Sequence, residues 1–288
     1  MRVVCRDVNF GTPFLYFTPC FFLLNMRTKS FLSSVLFLLL LITSCHPKSQ
    51  KATEHTISVN NVSLVYSVSG KGQPVILLHG NGGSHHDLDT LHAQLRLAGY
   101  KVYALDSRGQ GANEPLDEYH YKDMAEDVYQ FCQTLNIEHP IIYGWSDGGI
   151  IALELEIMHP GTAKRMIVCG SNLNPNGLRE DFHAHFLATA DTTHPLTRMM
   201  IYEPNITTEQ LAGIACPVLV CAGEHDLISE SHTRLIAESI PKGELLIIPN
   251  EDHGSYIWHS PKIGNILLQH LQHLQHLQHP TTKQSKTN

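Results

Sequence analysis

Charge is scarce in this chain. Only 16% of its 288 residues are Asp, Glu, Lys or Arg, the formal net charge is -7, and no basic patch argues for a nucleic-acid partner. Cysteine is also thin where it would carry chemistry. Of the seven, Cys5, Cys20 and Cys45 fall in the N-terminal region, leaving Cys132, Cys169, Cys216 and Cys221. No spacing among these suggests a zinc site. A disulfide between Cys169 and Cys221 requires their strands to be neighbours, and buried thiols are the expected state. An apolar run of transmembrane length is missing too: the stretch before Cys45 is short and ends cleanly in polar residues. What remains is a chain long enough for one α/β domain with a well-buried core.

The N-terminus reads as a processing signal. From Met26 the sequence runs "MRTKSFLSSVLFLLLLITSC", with Arg27 and Lys29 ahead of the apolar stretch, as in a secretory signal. The small polar residues Thr43 and Ser44 before Cys45 resemble a lipobox. That resemblance implies a bacterial lipoprotein, lipid-anchored to the membrane through Cys45. His46, rather than an aspartate, follows the cysteine, and by the same resemblance favours the outer membrane over the inner. Residues 1–25 fit no targeting pattern and are expected to be a non-native extension upstream of a start at Met26.

A polar linker (46–56) leads into "TISVNNVSLVYSVSG", which alternates like a hairpin around an Asn-Asn turn. The pattern then changes to strand-helix alternation. "PVILLHG" is a continuous apolar strand, and "HDLDTLHAQLRLAG" sets Leu88, Leu91 and Leu95 on one helical face before Gly99. "KVYALDSRGQG", "PIIYGWS", "AKRMIVCGS", "CPVLVCAGEHD" and "GELLIIP" continue the strands, with amphipathic or apolar helices between them. Such βαβ repetition implies a mostly parallel central sheet with helices on both faces. Between about 172 and 214 the rhythm breaks into a polar, Pro- and Asn-rich insertion, the expected short cap over a site. The domain is expected to span 57–268. The remaining tail, 269–288, holds an LQH repeat with His270, His273, His276 and His279. A step of three residues turns a helix by about 300°, so the four imidazoles cannot converge on one ion. The tract reads as a low-complexity extension of the last helix.

The chemistry centres on Gly144-Trp145-Ser146-Asp147-Gly148, a G-x-S-x-G pattern between a buried strand and a helix. Such an elbow lifts the Ser146 hydroxyl above the sheet edge. A serine needs a base, and His253 follows the last strand. Asp226 follows the strand before it, as the group to orient that base. Glu224 rivals Asp226, and His225 and His259 rival His253. Parallel strands bring all these loops to one carboxyl edge. The backbone N–H groups of Asp147 and Asn81 are the expected oxyanion donors. Trp145, Gly82 and Asp147 are expected to touch substrate. His79 is expected to pack beneath the "HGNGGS" loop. Asp147 itself admits two roles. It turns away as an acidic residue in the first helical turn, or it faces the pocket and pairs with a cation on the substrate.

Together "HGNGG", "DSRGQG", "GWSDGG", "GEHD" and "DHG" resemble the α/β-hydrolase superfamily, on the biphenyl-hydrolase-like, valacyclovir-hydrolase-like branch. The resemblance implies the α/β-hydrolase fold and a serine hydrolase acting without a cofactor. Its substrates would be small-molecule carboxylic esters, with aminoacyl esters and small amides inside that range. Carbon–carbon bond hydrolysis or cofactor-free perhydrolysis would use the same Ser-His-Asp triad. An envelope lipoprotein that only binds would leave the triad idle.

Overall fold

The structure, a computed structural model, describes residues 52–278. Residues 1–25, the signal-like segment 26–45 with Cys45, and the tail beyond 278 lie outside the described residues. The chain opens with an antiparallel hairpin, β1 (Thr53–Val59) and β2 (Val62–Gly70). It turns at Asn60 and Asn61, with φ of 45° and 61°. Asparagine tolerates this left-handed region, and paired positive φ values match the twist of a two-residue hairpin. The first strand starts at Thr53, inside the segment read as linker.

Alternation then follows: β3 (Pro74–Leu78), α1 (Asp89–Leu97), β4 (Lys101–Leu105), α2 (Tyr121–Thr134), β5 (Ile141–Trp145) and α3 (Asp147–Met158). Next come β6 (Arg165–Cys169), the insertion with α4 (Glu180–Thr189), α5 (Pro195–Tyr202) and α6 (Thr208–Leu211), then β7 (Val218–Gly223), α7 (Glu230–Ser239), β8 (Gly243–Ile248) and α8 (Lys262–Gln278). The eight strands order as β1-β2-β4-β3-β5-β6-β7-β8. β2 pairs antiparallel with both β1 and β4, and every pairing beyond is parallel.

Because side chains alternate across a strand, the apolar run of β3 serves two cores. Ile76 and Leu78 join Met124, Phe131, Leu153 and Ile236 on the face covered by α2, α3 and α7. Val75 and Leu77 join Leu88, Leu91, Leu95, Ile263 and Leu267 on the face covered by α1 and α8. The expected Leu88-Leu91-Leu95 stripe is fully buried there, with Leu88 on a short 3₁₀ turn (His85–Leu88) rather than on α1. Cys169 and Cys221 are register partners on neighbouring strands, both buried and both free thiols. A contact with the Cys169 thiol, together with burial, pushes the Cys221 thiol well above its ordinary range.

Candidate active site

The turn between β5 and α3 is tight because glycines let backbones approach where no Cβ would fit. A Cβ on Gly144 would lie 2.1 Å from the Gly148 carbonyl oxygen, and one on Gly148 would lie 2.2 Å from that of Leu78. Between them Ser146 adopts φ 54° and ψ -118°, a strained conformation for a residue with a side chain. Neighbours hold it there. The Ser146 N–H donates to the Cys169 carbonyl at 2.8 Å, and the Ser146 carbonyl accepts from Gly149 N–H at 2.9 Å and from the Ser171 hydroxyl at 2.9 Å.

Ser146 Oγ lies 3.1 Å from His253 Nε2, and His253 Nδ1 lies 2.7 Å from Asp226 Oδ1. Asp226 is buried, and its carboxylate also accepts the Ile228 N–H at 3.0 Å, which fixes the face it offers to the imidazole. Its rivals are elsewhere. Glu224 is exposed and accepts the Asn250 N–H at 2.9 Å. His225 and His259 are exposed as well. Trp145 does not line the cavity above the serine. Its indole N–H donates 2.9 Å to the His253 carbonyl and so supports the histidine loop from behind.

That cavity, of about 190 Å³, is lined by Tyr121, Ser146, Asp147 and His253 on the sheet side and by Glu203 at the end of α5. Phe182, Phe186 and Met200 of the cap helices α4 and α5 close over them. Asp147 does face the cavity and is buried. Its two oxygens accept from the Tyr121 hydroxyl at 2.9 Å and the Asn81 amide at 2.8 Å. Burial raises the Asp147 carboxyl above the usual carboxylate range, while these two donors and nearby His253 pull the other way. Glu203 pairs with His120 Nδ1 at 2.6 Å.

These groups sit on the edge where an α/β sheet takes its ligands. The family described as alpha/beta hydrolase fold matches residues 73–188. The AB hydrolase superfamily protein YisY of Bacillus subtilis is 24% identical over 73% of this chain and 95% of its own. The human serine hydrolase BPHL is 26% identical over 71% of this chain and 81% of its own. The chain has the α/β-hydrolase fold. The esterase EaEST of Exiguobacterium antarcticum shares the fold with a TM-score of 0.67, at 19% identity over 76% of this chain and all of its own.

Among α/β-hydrolases the loop after β3 ordinarily faces the reacting carbonyl, and here its parts divide. His79 is buried as expected beneath the loop, where its Nε2 accepts the Ser107 N–H at 3.0 Å. Burial lowers its imidazole below the ordinary histidine range. Gly82, expected to touch substrate, does not line the cavity: its N–H donates to Gln110 Oε1 at 2.7 Å. Asn81 reaches the site through its side chain, on Asp147. Tyr121, Glu203 and Gln110 escaped the sequence reading. Tyr121 meets Asp147 across 26 residues, and nothing local to "YHYKDM" separates it from an ordinary first helical turn.

Proposed function

We propose that this hydrolase cleaves carboxylic esters through a Ser146–His253–Asp226 triad. The observation that carries the reading is the continuous hydrogen-bonded chain from Ser146 Oγ through both imidazole nitrogens to Asp226. In the proposed cycle His253 Nε2 takes the Ser146 proton as Oγ attacks the ester carbonyl. Asp226 supports the imidazolium so formed. The backbone N–H groups of Asp147 and Asn81 receive the developing oxyanion. The Asp147 N–H suits this role because the first residue of a helix has no intrahelical acceptor. His253 then protonates the departing alcohol, and water deprotonated by the same imidazole releases the acid and restores Ser146. Fluorophosphonate labelling should modify Ser146 in the wild-type protein and fail in Ser146→Ala. Labelling that persists in that variant sinks the assignment.

Substrate choice is proposed to favour an ammonium-bearing ester such as an aminoacyl ester. Asp147 presents a carboxylate to a cavity whose lining includes Glu203 and, among the described residues, no lysine or arginine. Neutral donors alone hold its two oxygens, and a substrate cation would complete their charge balance. The apolar side chains of the cap would take the rest of the molecule. The lipobox-like "ITSC" supports anchoring of the mature chain through a lipidated Cys45. Mass spectrometry of a mature N-terminus beginning elsewhere would remove that part of the proposal.

A further inference from the structure

The geometry points to a divalent transition-metal site, separate from the triad, formed by Glu54, His85 and His86. Glu54 lies on β1, and the two histidines open the 3₁₀ turn that follows the "HGNGGS" loop. His85 Nε2 stands 3.7 Å from Glu54 Oε1, and His86 Nε2 stands 3.8 Å from the same oxygen. The three ligand atoms all lie within 4.8 Å of one another. Ligands at tetrahedral zinc, with bonds of about 2.0–2.1 Å, sit about 3.3 Å apart, so sub-ångström to ångström-scale closure around an ion completes the set.

Two observations make this more than a meeting of polar side chains. His85 is 2% exposed, yet its Nε2 has no hydrogen-bond partner among the described residues. A buried nitrogen left so is costly unless something else satisfies it. Both rings are also oriented by carboxylates on their far side. His85 Nδ1 lies 2.7 Å from Asp106 Oδ1, and His86 Nδ1 lies 3.2 Å from Asp89 Oδ2. A carboxylate accepting Nδ1–H fixes the tautomer whose Nε2 lone pair is free, the arrangement that supports histidine ligands in metal sites.

Asp106 is itself fixed, accepting the His85 N–H at 2.7 Å and the Ala112 N–H at 2.8 Å. The gap opens into a surface cleft bordered by Gly82, Gly83 and Ser84, which leaves a coordination position for solvent. Two imidazoles and one carboxylate suit zinc and its borderline neighbours rather than calcium or magnesium. An ion there ties the first strand of the sheet to the loop that carries Asn81.

To keep tail histidines out of the measurement, the test uses the full chain carrying His273→Gln, His276→Gln and His279→Gln. After chelator treatment this protein should bind one equivalent of zinc by calorimetry and melt at a higher temperature with zinc than without. Calcium should do neither. Adding Glu54→Gln and His86→Gln, both at exposed positions, should weaken zinc binding at least about tenfold and erase the melting shift, with the metal-free melting temperature unchanged. Absence of stoichiometric binding overturns the site, and the cluster is then an ion pair of His85 with its carboxylates. Equal binding with and without Glu54 and His86 overturns it as well.

Discussion

Two helices contribute to the proposed catalytic cavity and are built on opposite terms. α3, on the sheet, buries ten of its residues, from Asp147 through Glu156. α4, in the cap, buries none. The first helix holds Ser146 at its N-terminus in a strained conformation, which only a rigid, fully packed surrounding sustains. The second supplies Phe182 and Phe186 to the cavity while contributing little to the core. The proposed nucleophile and the proposed cation-binding Asp147 are thus anchored on the fully packed helix, and the apolar cap wall of the cavity lies where sequence change costs least.

The sharpest test of the contrast replaces the anchored chemistry. Ser146→Ala and His253→Ala should each lower kcat by about 10⁴-fold or more, with melting temperatures close to wild type. An activity loss accompanied by unfolding would mean that the elbow is structural. Next comes packing beneath the elbow. Leu153 is fully buried, and Leu153→Ala should destabilise the protein by about 3 kcal/mol in denaturant titration through the cavity it leaves.

Asp147→Asn should lower kcat/KM for aminoacyl esters by about 2 kcal/mol, the scale of a charged hydrogen bond, and leave neutral esters of equal size unchanged. Equal loss on both would assign Asp147 to support of the elbow. The same variant has a pH signature. The folded-state carboxyl is raised, so the stability it contributes is present below the unfolded pKa and lost as pH rises through the folded one. The wild type should therefore lose stability relative to Asp147→Asn as pH climbs above the ordinary carboxylate range, read as melting temperature against pH.

Phe186→Ala should move KM for bulky acyl groups by about tenfold, roughly the worth of apolar area in a pocket, with kcat on small esters retained. Smallest of all, Leu187→Ala on the same helix, at a side chain 51% exposed, should stay within about 0.5 kcal/mol of wild-type stability. A cost near that of Leu153→Ala would erase the contrast between the two helices.

Legibility in the sequence follows the same division. The strand-helix rhythm, the elbow and the order Ser146, Asp226, His253 are local patterns at the ends of apolar runs. Asp226 and Glu224 stand two residues apart after β7; Glu224 turns outward to the Asn250 N–H, and Asp226 meets His253. Trp145 and Gly82 adjoin Ser146 and Asn81 along the chain, yet neither lines the cavity. Adjacency along the chain says little at a sharp turn, where successive side chains leave in different directions. Trp145 goes beneath His253 and Gly82 toward Gln110.

The sequence by itself determined the fold class, the elbow and the serine, because hydrophobic periodicity and glycine placement act over a few residues and survive in any context. Tertiary structure alone decided the company Asp147 keeps. Its oxygens meet Tyr121 of α2 and Asn81 of the loop after β3, and that meeting depends on crossovers that carry distant segments to one edge of the sheet. The cluster of Glu54, His85 and His86 arises in the same way, since the hairpin and the 3₁₀ turn become neighbours only once the sheet has formed. A carboxylate's charge state and an imidazole's free lone pair depend on what surrounds them in space, and no spacing along the chain encodes that.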